Sequence, residues 1–481
     1  MSEEAESQPV SRRAVVAAVM TAMFMVSVET TILAPVMPRI AIDLGGVEDY
    51  AWAFAAFLVT QTAGTVICGR LADAWGRRIV MLGGLAVFSM ATIACGSVRS
   101  FDLFIAARAM QGVGAGAVLP TALTLIGDLF DVAERRKVQS WLSSVWIISG
   151  LGGPVLGAVI VSVLDWRWVF WFTLPLAALT MAIFLRALPA RTGRPHVTVD
   201  WLGAAYFVPS VAGALIALNE LGAGEYSMAL ASLALAAVAL FLFGLHCRGR
   251  RHALIDLHVW LRPEILTANL VNLLISCAML GVITYLPILL QAVQGYSQLF
   301  SGLTQTVMTV GWPVGTAVSS YFLVKPGFAR VLQCGSAITF VAFTVFAMAA
   351  GSLPLGALGG MSFIAGLGIG SVSIGTMVLV QSAVRTEERG GATASNIFAR
   401  TFGQSLGAVL AGVTVQLVLA KNGIDLSAED LDKLVTVGMM GNAALGEALG
   451  NAVLAAFALM AAIAFLALLL ALGLPRPRPE A

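Results

Sequence analysis

Residues 69–78 read GRLADAWGRR. They interrupt two apolar runs, 51–74 and 79–98, each long enough to cross the hydrocarbon of a bilayer, which takes about 20 residues of helix. Asp73, Arg77 and Arg78 are costly inside that hydrocarbon, so the chain must turn here at a membrane surface. Gly76 allows a tight turn, and Gly69 lets a neighbouring helix come close. The stretch therefore reads as a charged hairpin between two membrane helices, with one acid and two bases placed so that they can act as a latch.

The whole chain has the composition this requires. Of 481 residues, 59% are hydrophobic and 11% charged, and the mean hydropathy is +0.90. Soluble proteins carry about a quarter charged residues, and a chain this poor in polar residues cannot cover a soluble core of such size. The class is an all-α polytopic membrane protein. The five cysteines, Cys68, Cys95, Cys247, Cys277 and Cys334, have no metal-type spacing and read as unpaired thiols; no metal site is expected. The opening MSEEAESQPVSRR is polar and partly acidic, unlike a basic leader, and the apolar run behind it is too long for a cleaved signal peptide. The first helix is expected to stay in the mature protein.

Cutting the sequence at its charged and Gly/Pro-rich breaks gives about 14 spans, at 14–42, 51–74, 79–98, 101–127, 139–164, 167–188, 200–219, 228–246, 264–291, 301–324, 331–350, 353–382, 392–419 and 448–473. An even number puts both termini on one side. Of the 28 Lys and Arg residues, only Arg39, Arg99, Arg167, Lys421 and Lys433 fall on the opposite side, and Arg108 lies inside a span. That bias places both termini in the cytoplasm, with the protein in the cell membrane. Two connections are longer than the rest. One is basic, 246–262, on the inner side; the other, 421–447, is outside and carries a helix-start pattern at Ser427 and Asp430.

The hairpin signature, Gly-x-Leu-Ala-Asp-x-x-Gly-Arg-Arg between the second and third helices, resembles the cytoplasmic loop of the major facilitator superfamily. That resemblance implies that Asp73 and Arg77 help hold two halves of the protein together in an outward-open state. An acid at the inner end of the fourth helix joins them; Asp128 is the match and Asp131 its competitor. RAMQGVGAG (108–116) is similar to the family's fourth-helix signature, which makes Arg108 a buried cation at a place associated with proton transfer. SGLGGPVLGA (149–158) resembles the fifth-helix antiporter signature, in which Gly153 and Pro154 bend the helix and small residues such as Gly157 let it pack on a neighbour; Ala158 stands where the pattern has Gly. WRWVFWFTLP (166–175), YLPILLQAVQGYSQLFSGL (285–303) and ETTILAPVMP (29–38) resemble the fourteen-helix drug/proton antiporter branch. The acid of its first helix is commonly Asp, and here it is Glu29.

The second half keeps less of the pattern. Near 319–331 Gly327 remains, but Val324 takes the place of the acid. RTFGQSLGAVLAG (400–412) keeps Arg400, which either pairs with the latch at Asp73 or extends its cation to the interface.

The resemblance implies the following organisation: a cytoplasmic tail at 1–13, a six-helix bundle at 14–190, two extra transmembrane helices and a basic loop at 191–262, a second six-helix bundle at 263–475, and a tail at 476–481. The substrate site lies between the bundles near the midplane, and the extra pair is a tether outside them. A rise of about 1.5 Å per residue puts Glu29 roughly 24 Å from Arg13, in the outer half, and Arg108 about 9 Å from Asp102, so the two charges can share a depth. Burial opposes ionisation of Glu29 and Arg108 favours it, which allows proton exchange; the alternative is a permanent ion pair fixing the first helix to the fourth. Apolar walls with scattered amides, Gln61, Asn269, Asn272 and Gln305, suit amphipathic cationic organic compounds, although each amide can equally be an interhelical contact.

The expected activity is proton-coupled antiport exporting such compounds, driven by the proton gradient without a cofactor. Export of a lipid or cell-envelope component on the same fold is the alternative. The four histidines, His196, His246, His252 and His258, all fall in cytoplasmic segments, and no nucleophile with a base lies within a span, so no enzyme is expected. The partners are a small organic substrate, protons and membrane lipid, with no nucleic acid, and the chain is expected to act as a monomer.

Overall fold

A computed structural model describes residues 12–130, 132–187, 200–222, 224–248, 257–323, 327–385, 389–424 and 443–474. Asp131, Ser427 and Asp430 lie outside them, as do residues 1–11 and 475–481, and Arg12 and Arg13 of the expected tail open the first helix. The described residues form fourteen long helices and no strand. These are α1 (Arg12–Leu44), α2 (Trp52–Trp75), α3 (Arg77–Cys95), α4 (Phe101–Leu129), α5 (Val132–Val163), α6 (Leu174–Ala187), α7 (Trp201–Gly222) and α8 (Tyr226–Cys247), followed by α9 (Pro263–Ile288), α10 (Gln298–Leu323), α11 (Gly327–Ala349), α12 (Leu355–Ser382), α13 (Arg389–Lys421) and α14 (Ala443–Leu472).

Thirteen helical stretches are both long and apolar enough to cross a membrane. Helix α10 is long enough at 26 residues, but Gln298, Thr304, Gln305, Thr306 and Thr309 lower its hydropathy; its packing between α5 and α12 makes it the fourteenth span. Helix α5 begins at Val132 rather than near 139 because apolarity marks where a helix enters hydrocarbon, not where it starts. Pro287 ends the regular part of α9, which continues as a π-helical turn over Leu289–Val293, a common response to a proline within a span.

Helices α1 to α6 pack among themselves, α2 and α3 on α4, α1 on α5 and α6. Helices α9 to α14 do the same, α10 and α11 on α12, α9 on α13 and α14. The two groups meet along α5 with α10 and α2 with α13. The extra pair leans on the second of these seams: α7 packs on α13 and α2, while α8 packs on α7 and is only 22% buried over its apolar window. His246 Nε2 and Asp200 Oδ1, 2.7 Å apart, join the two ends of this pair.

An internal repeat in the glycines sets the closest helix contacts. In α4, Gly112 and Gly116 face α2 while Gly114 faces α3; a Cβ on Gly116 would come within 2.6 Å of Gln61 O, and one on Gly114 within 2.7 Å of Phe88 Cα. In α12, Gly366 and Gly370 face α10 and Gly368 faces α11, where a Cβ on Gly368 would come within 2.7 Å of Gly335 O. The motifs GVGAG (112–116) and GLGIG (366–370) are thus equivalent, each letting one helix be sandwiched at backbone distance. Gly76 at φ 98° and Gly327 at φ 79° repeat the turn between helices two and three of each group.

The groups are knitted together on the face opposite the start of α1, called here the far face. Gln291 Nε2 donates to Pro35 O at 3.0 Å, Gln416 Nε2 to Glu48 O at 2.6 Å, and Thr306 Oγ1 to Leu151 O at 3.2 Å. Tyr50 and Tyr285, both buried, pack ring to ring across the same seam at 5.4 Å.

Candidate functional site

Glu29 sits within a buried stretch of α1, where Ser27 through Glu29 are fully covered. Thr30 and Thr31 return their hydroxyls to the helix backbone, Thr30 Oγ1 to Ser27 O at 2.7 Å, and Thr31 Oγ1 also reaches Ser149 O of α5 at 3.0 Å. The carboxyl is the one charged side chain here, and it points at α4. Its Oε1 accepts a hydrogen bond of 2.9 Å from Gln111 Nε2 on α4 and lies 3.9 Å from Arg108 Nη1. Its Oε2 is buried and has no hydrogen-bond partner among the described residues.

Arg108 is 1% exposed and is held on every side. Its Nε donates to Ala53 O of α2 at 3.1 Å, its Nη1 donates to Gln111 Oε1, and its guanidinium lies 4.3 Å from the centre of the Phe57 ring. Gln111 Nε2 also donates to Thr92 Oγ1 of α3 at 2.8 Å. Four helices therefore meet at one buried polar centre. The centre is built as Arg108–Gln111–Glu29 with a long direct ion-pair contact, so the amide, one helical turn from Arg108 on the same face, is the true bridge. Sequence reasoning paired Glu29 with Arg108 and missed Gln111, although the i, i+3 spacing within RAMQ carried the signal.

The repeat shows that the charged centre occurs once. Aligning Gly112 on Gly366 sets Arg108 against Ser362 and Gln111 against Ala365, so the second group keeps the packing scaffold and lacks the charged centre.

The antiporter motif lies at a crossing of three helices. A Cβ on Gly157 would come within 2.7 Å of Ile32 O, and one on Gly153 would overlap Thr31, so α5 touches the backbone of α1 just beyond Glu29. Pro154 faces α10, where a Cβ on Gly302 would come within 2.7 Å of its carbonyl oxygen. Glu29 and the seam between the two groups are thereby mechanically adjacent.

The latch is described in part. Gly76 makes the positive-φ turn, Arg77 Nη1 donates to Ala72 O at 3.3 Å, and Arg78 Nη2 donates to Leu185 O at 2.8 Å, tying the hairpin to the end of α6. The side chains of Asp73 and Asp128 lie outside the described ones. Among the described residues Gly69 makes no close approach: a Cβ there would meet nothing within 4 Å.

The amides of the apolar walls are interhelical ties. Asn269 Nδ2 donates to Ser395 Oγ at 2.8 Å and Asn272 Nδ2 to Asn396 Oδ1 at 3.0 Å, joining α9 to α13, while Gln305 Nε2 donates to Ile283 O. Gln61 is buried at the α2–α4 contact. At the far face, Asp49 is pushed above its ordinary value of 3.8, first by burial and then by the charge of Asp102, against a hydrogen bond with Asn219.

The chain matches the model of the Major Facilitator Superfamily over residues 19–408. It is 29% identical over 441 residues to the multidrug transporter protein MdtP of Bacillus subtilis, covering 90% of this chain and 80% of that one, and 29% identical over 419 residues to multidrug resistance protein 3 of the same organism, covering 86% and 81%. Among solved structures it is similar to a bacterial homologue of the human lysosomal transporter Spinster in an inward-facing, occupied conformation, with a TM-score of 0.66 at 15% identity and 97% of each chain covered.

Proposed function

The chain belongs to the Major Facilitator Superfamily and is a membrane-spanning transporter, and from that premise we propose that it is a proton-coupled antiporter exporting amphipathic organic compounds, lipophilic cations among them, across the cell membrane. The relatives named as multidrug transporters and efflux pumps support the export of drug-like compounds. The observation that carries the coupling is the centre at Glu29. It is the one acid within a span and away from its ends, it is fully buried, one of its oxygens is bound to Gln111 near Arg108, and the other has no partner among the described residues.

A carboxyl in that setting holds a proton or a negative charge, and each state favours a different arrangement around it. Ionised, Glu29 draws Arg108 and Gln111 toward α1; protonated, it releases that pull, and Oε2 can donate a hydrogen bond where it now makes none. Because α1 meets α5 at Gly153 and Gly157, and α5 meets α10 at Pro154, a shift of α1 is passed to the seam where the halves rock. With the termini in the cytoplasm, as the positive-inside bias supports, the far face is the outside and the described conformation is the one closed to it. The latch at Asp73, Arg77 and Asp128 acts in the opposite conformation, with its charges on the cytoplasmic side.

The test is uptake of ethidium, a fluorescent lipophilic cation, into inside-out vesicles carrying the full chain. A proton gradient is expected to drive uptake, an uncoupler to abolish it, and Glu29→Gln to lose it. Uptake that persists after the gradient is collapsed would refute antiport.

A further inference from the structure

A second arginine within a span, half-buried, is left unused by this mechanism. Arg400 lies eleven residues from the first residue of α13, about 16 Å along the helix, and its guanidinium carbon is 6.0 Å from the centre of the Trp312 ring on α10. Helices α10 and α13 make the most extensive contacts of the second group with the first, α10 on α5 and α13 on α2, and each packs on α12 rather than on the other. Side chains that approach one another from these two helices therefore do so in the space between the groups.

Among the described residues this cation has no protein counter-charge. No Asp or Glu occurs between Glu264 and Glu387, nor between Glu388 and Asp425. Among the described residues Arg400 makes no ion pair, and its Nε is buried without a hydrogen-bond partner. Glu29, the acid of the first half, is already engaged with Gln111 and Arg108. Gln404, one turn along on the same face, is partly exposed and adds an amide donor. A charge within a span is retained where it has work to do, and a planar guanidinium beside an indole face fits a carboxylate attached to an aromatic ring.

We propose that Arg400 and Trp312 form an anion-accepting subsite on the second-half wall of the transport cavity, binding the carboxylate of an aromatic organic compound while Trp312 takes its ring. The inference deepens the transport reading and rests on it: the exported compounds include organic acids and zwitterions as well as cations, with the proton handled in one half and the acid group in the other.

The experiment is equilibrium dialysis of 2-naphthoate and its neutral analogue 2-naphthamide against the purified full-length protein in detergent, with empty micelles subtracted. The wild type is expected to bind naphthoate about tenfold more tightly than naphthamide, in the range a charge-assisted hydrogen bond adds. Arg400→Gln is expected to remove that preference while keeping naphthamide binding, Arg400→Lys to retain part of it, and Trp312→Leu to weaken both ligands. Each variant is checked for a single size-exclusion peak, and Arg400→Lys carries the test should Arg400→Gln fail it. Equal binding of the two ligands by the wild type, or a preference surviving in Arg400→Gln, overturns the proposal. So does loss of naphthoate binding when chloride replaces gluconate, which assigns the site to an inorganic anion. Binding is measured without a gradient, so failure of proton-driven uptake bears on the transport reading alone.

Discussion

Replacing Glu29 by glutamine removes one charge while keeping the shape that Gln111 binds. Two unit charges at the 3.9 Å separating Glu29 Oε1 from Arg108 Nη1 interact by about 4 kcal/mol at an effective dielectric of about 20. Any equilibrium biased by that charge changes by about a thousandfold when it disappears. The fold is expected to survive, because Arg108 keeps its bonds to Ala53 O and Gln111 and its place over Phe57, and the amide oxygen introduced by Glu29→Gln still accepts from Gln111. Glu29→Asp withdraws the carboxyl by about one bond, about 1.5 Å, which leaves about 3 kcal/mol of the interaction at the same dielectric and predicts partial coupling. The assay is proton release on adding ethidium to purified protein in weak buffer, run beside gradient-driven uptake in vesicles. Wild type is expected to release protons in a saturable manner, Glu29→Asp less, and Glu29→Gln none. Wild-type proton release by Glu29→Gln would show that the carboxyl only holds α1 to α4, and the coupling argument would fall.

Gln111→Leu leaves Glu29 Oε1 without its donor, which costs about 1–3 kcal/mol for a buried polar group; proton release by this variant is expected to shift along the pH axis, and an unmoved profile would remove Gln111 from the centre. Gly157→Leu forces α5 away from Ile32 O and is expected to lower thermal stability by the roughly 1–3 kcal/mol typical of overpacking and to stop uptake; a variant with wild-type uptake would show that the crossing does not transmit motion. Asp49 has a raised value in the conformation closed at the far face, so that state binds its proton more tightly than a hydrated carboxylate does. The far-face-closed state therefore gains stability as external pH falls through the range above 3.8 and loses it as pH rises. Labelling of Ser301→Cys by an impermeant maleimide should accordingly slow on acidification, and Asp49→Asn should flatten that dependence; a dependence unchanged in the variant assigns it elsewhere. For orientation, Glu225→Cys in the hairpin between α7 and α8 should be labelled in intact cells and Arg248→Cys only after permeabilisation; the reverse order inverts the topology.

Much of this molecule is settled by the chain alone, because a bilayer leaves few options. A span must be helical and about 20 residues long, and its charges must sit at the ends, so the helices and their order follow from where apolar runs stop. A charge that breaks this rule, such as Glu29 or Arg108, marks a candidate site for the same reason: a charge inside a span is costly and persists where it is paired or has work to do. The turn at Gly76 is likewise a local property of glycine. Composition is mixed in α10, whose polar residues lower its hydropathy, yet its charge-free length still marks the span at 301–324.

Only the tertiary structure decides which buried groups meet. The i, i+3 spacing puts Arg108 and Gln111 on one face of α4, but hydrophobic periodicity says little when a helix is apolar all round, so the sequence does not say that this face meets Glu29. The equivalence of GVGAG and GLGIG, and the single copy of the charged centre it exposes, needed both helices seen in their sandwiches. The chain alone leaves Arg400 between a latch and a membrane interface; its approach to Trp312 depends on α10 and α13 flanking α12 without packing on one another. These are contacts between residues far apart along the chain, Thr92 with Gln111, Glu29 with Gln111 and Arg400 with Trp312, and their geometry is fixed by backbone approach at glycines rather than by any pattern along one helix.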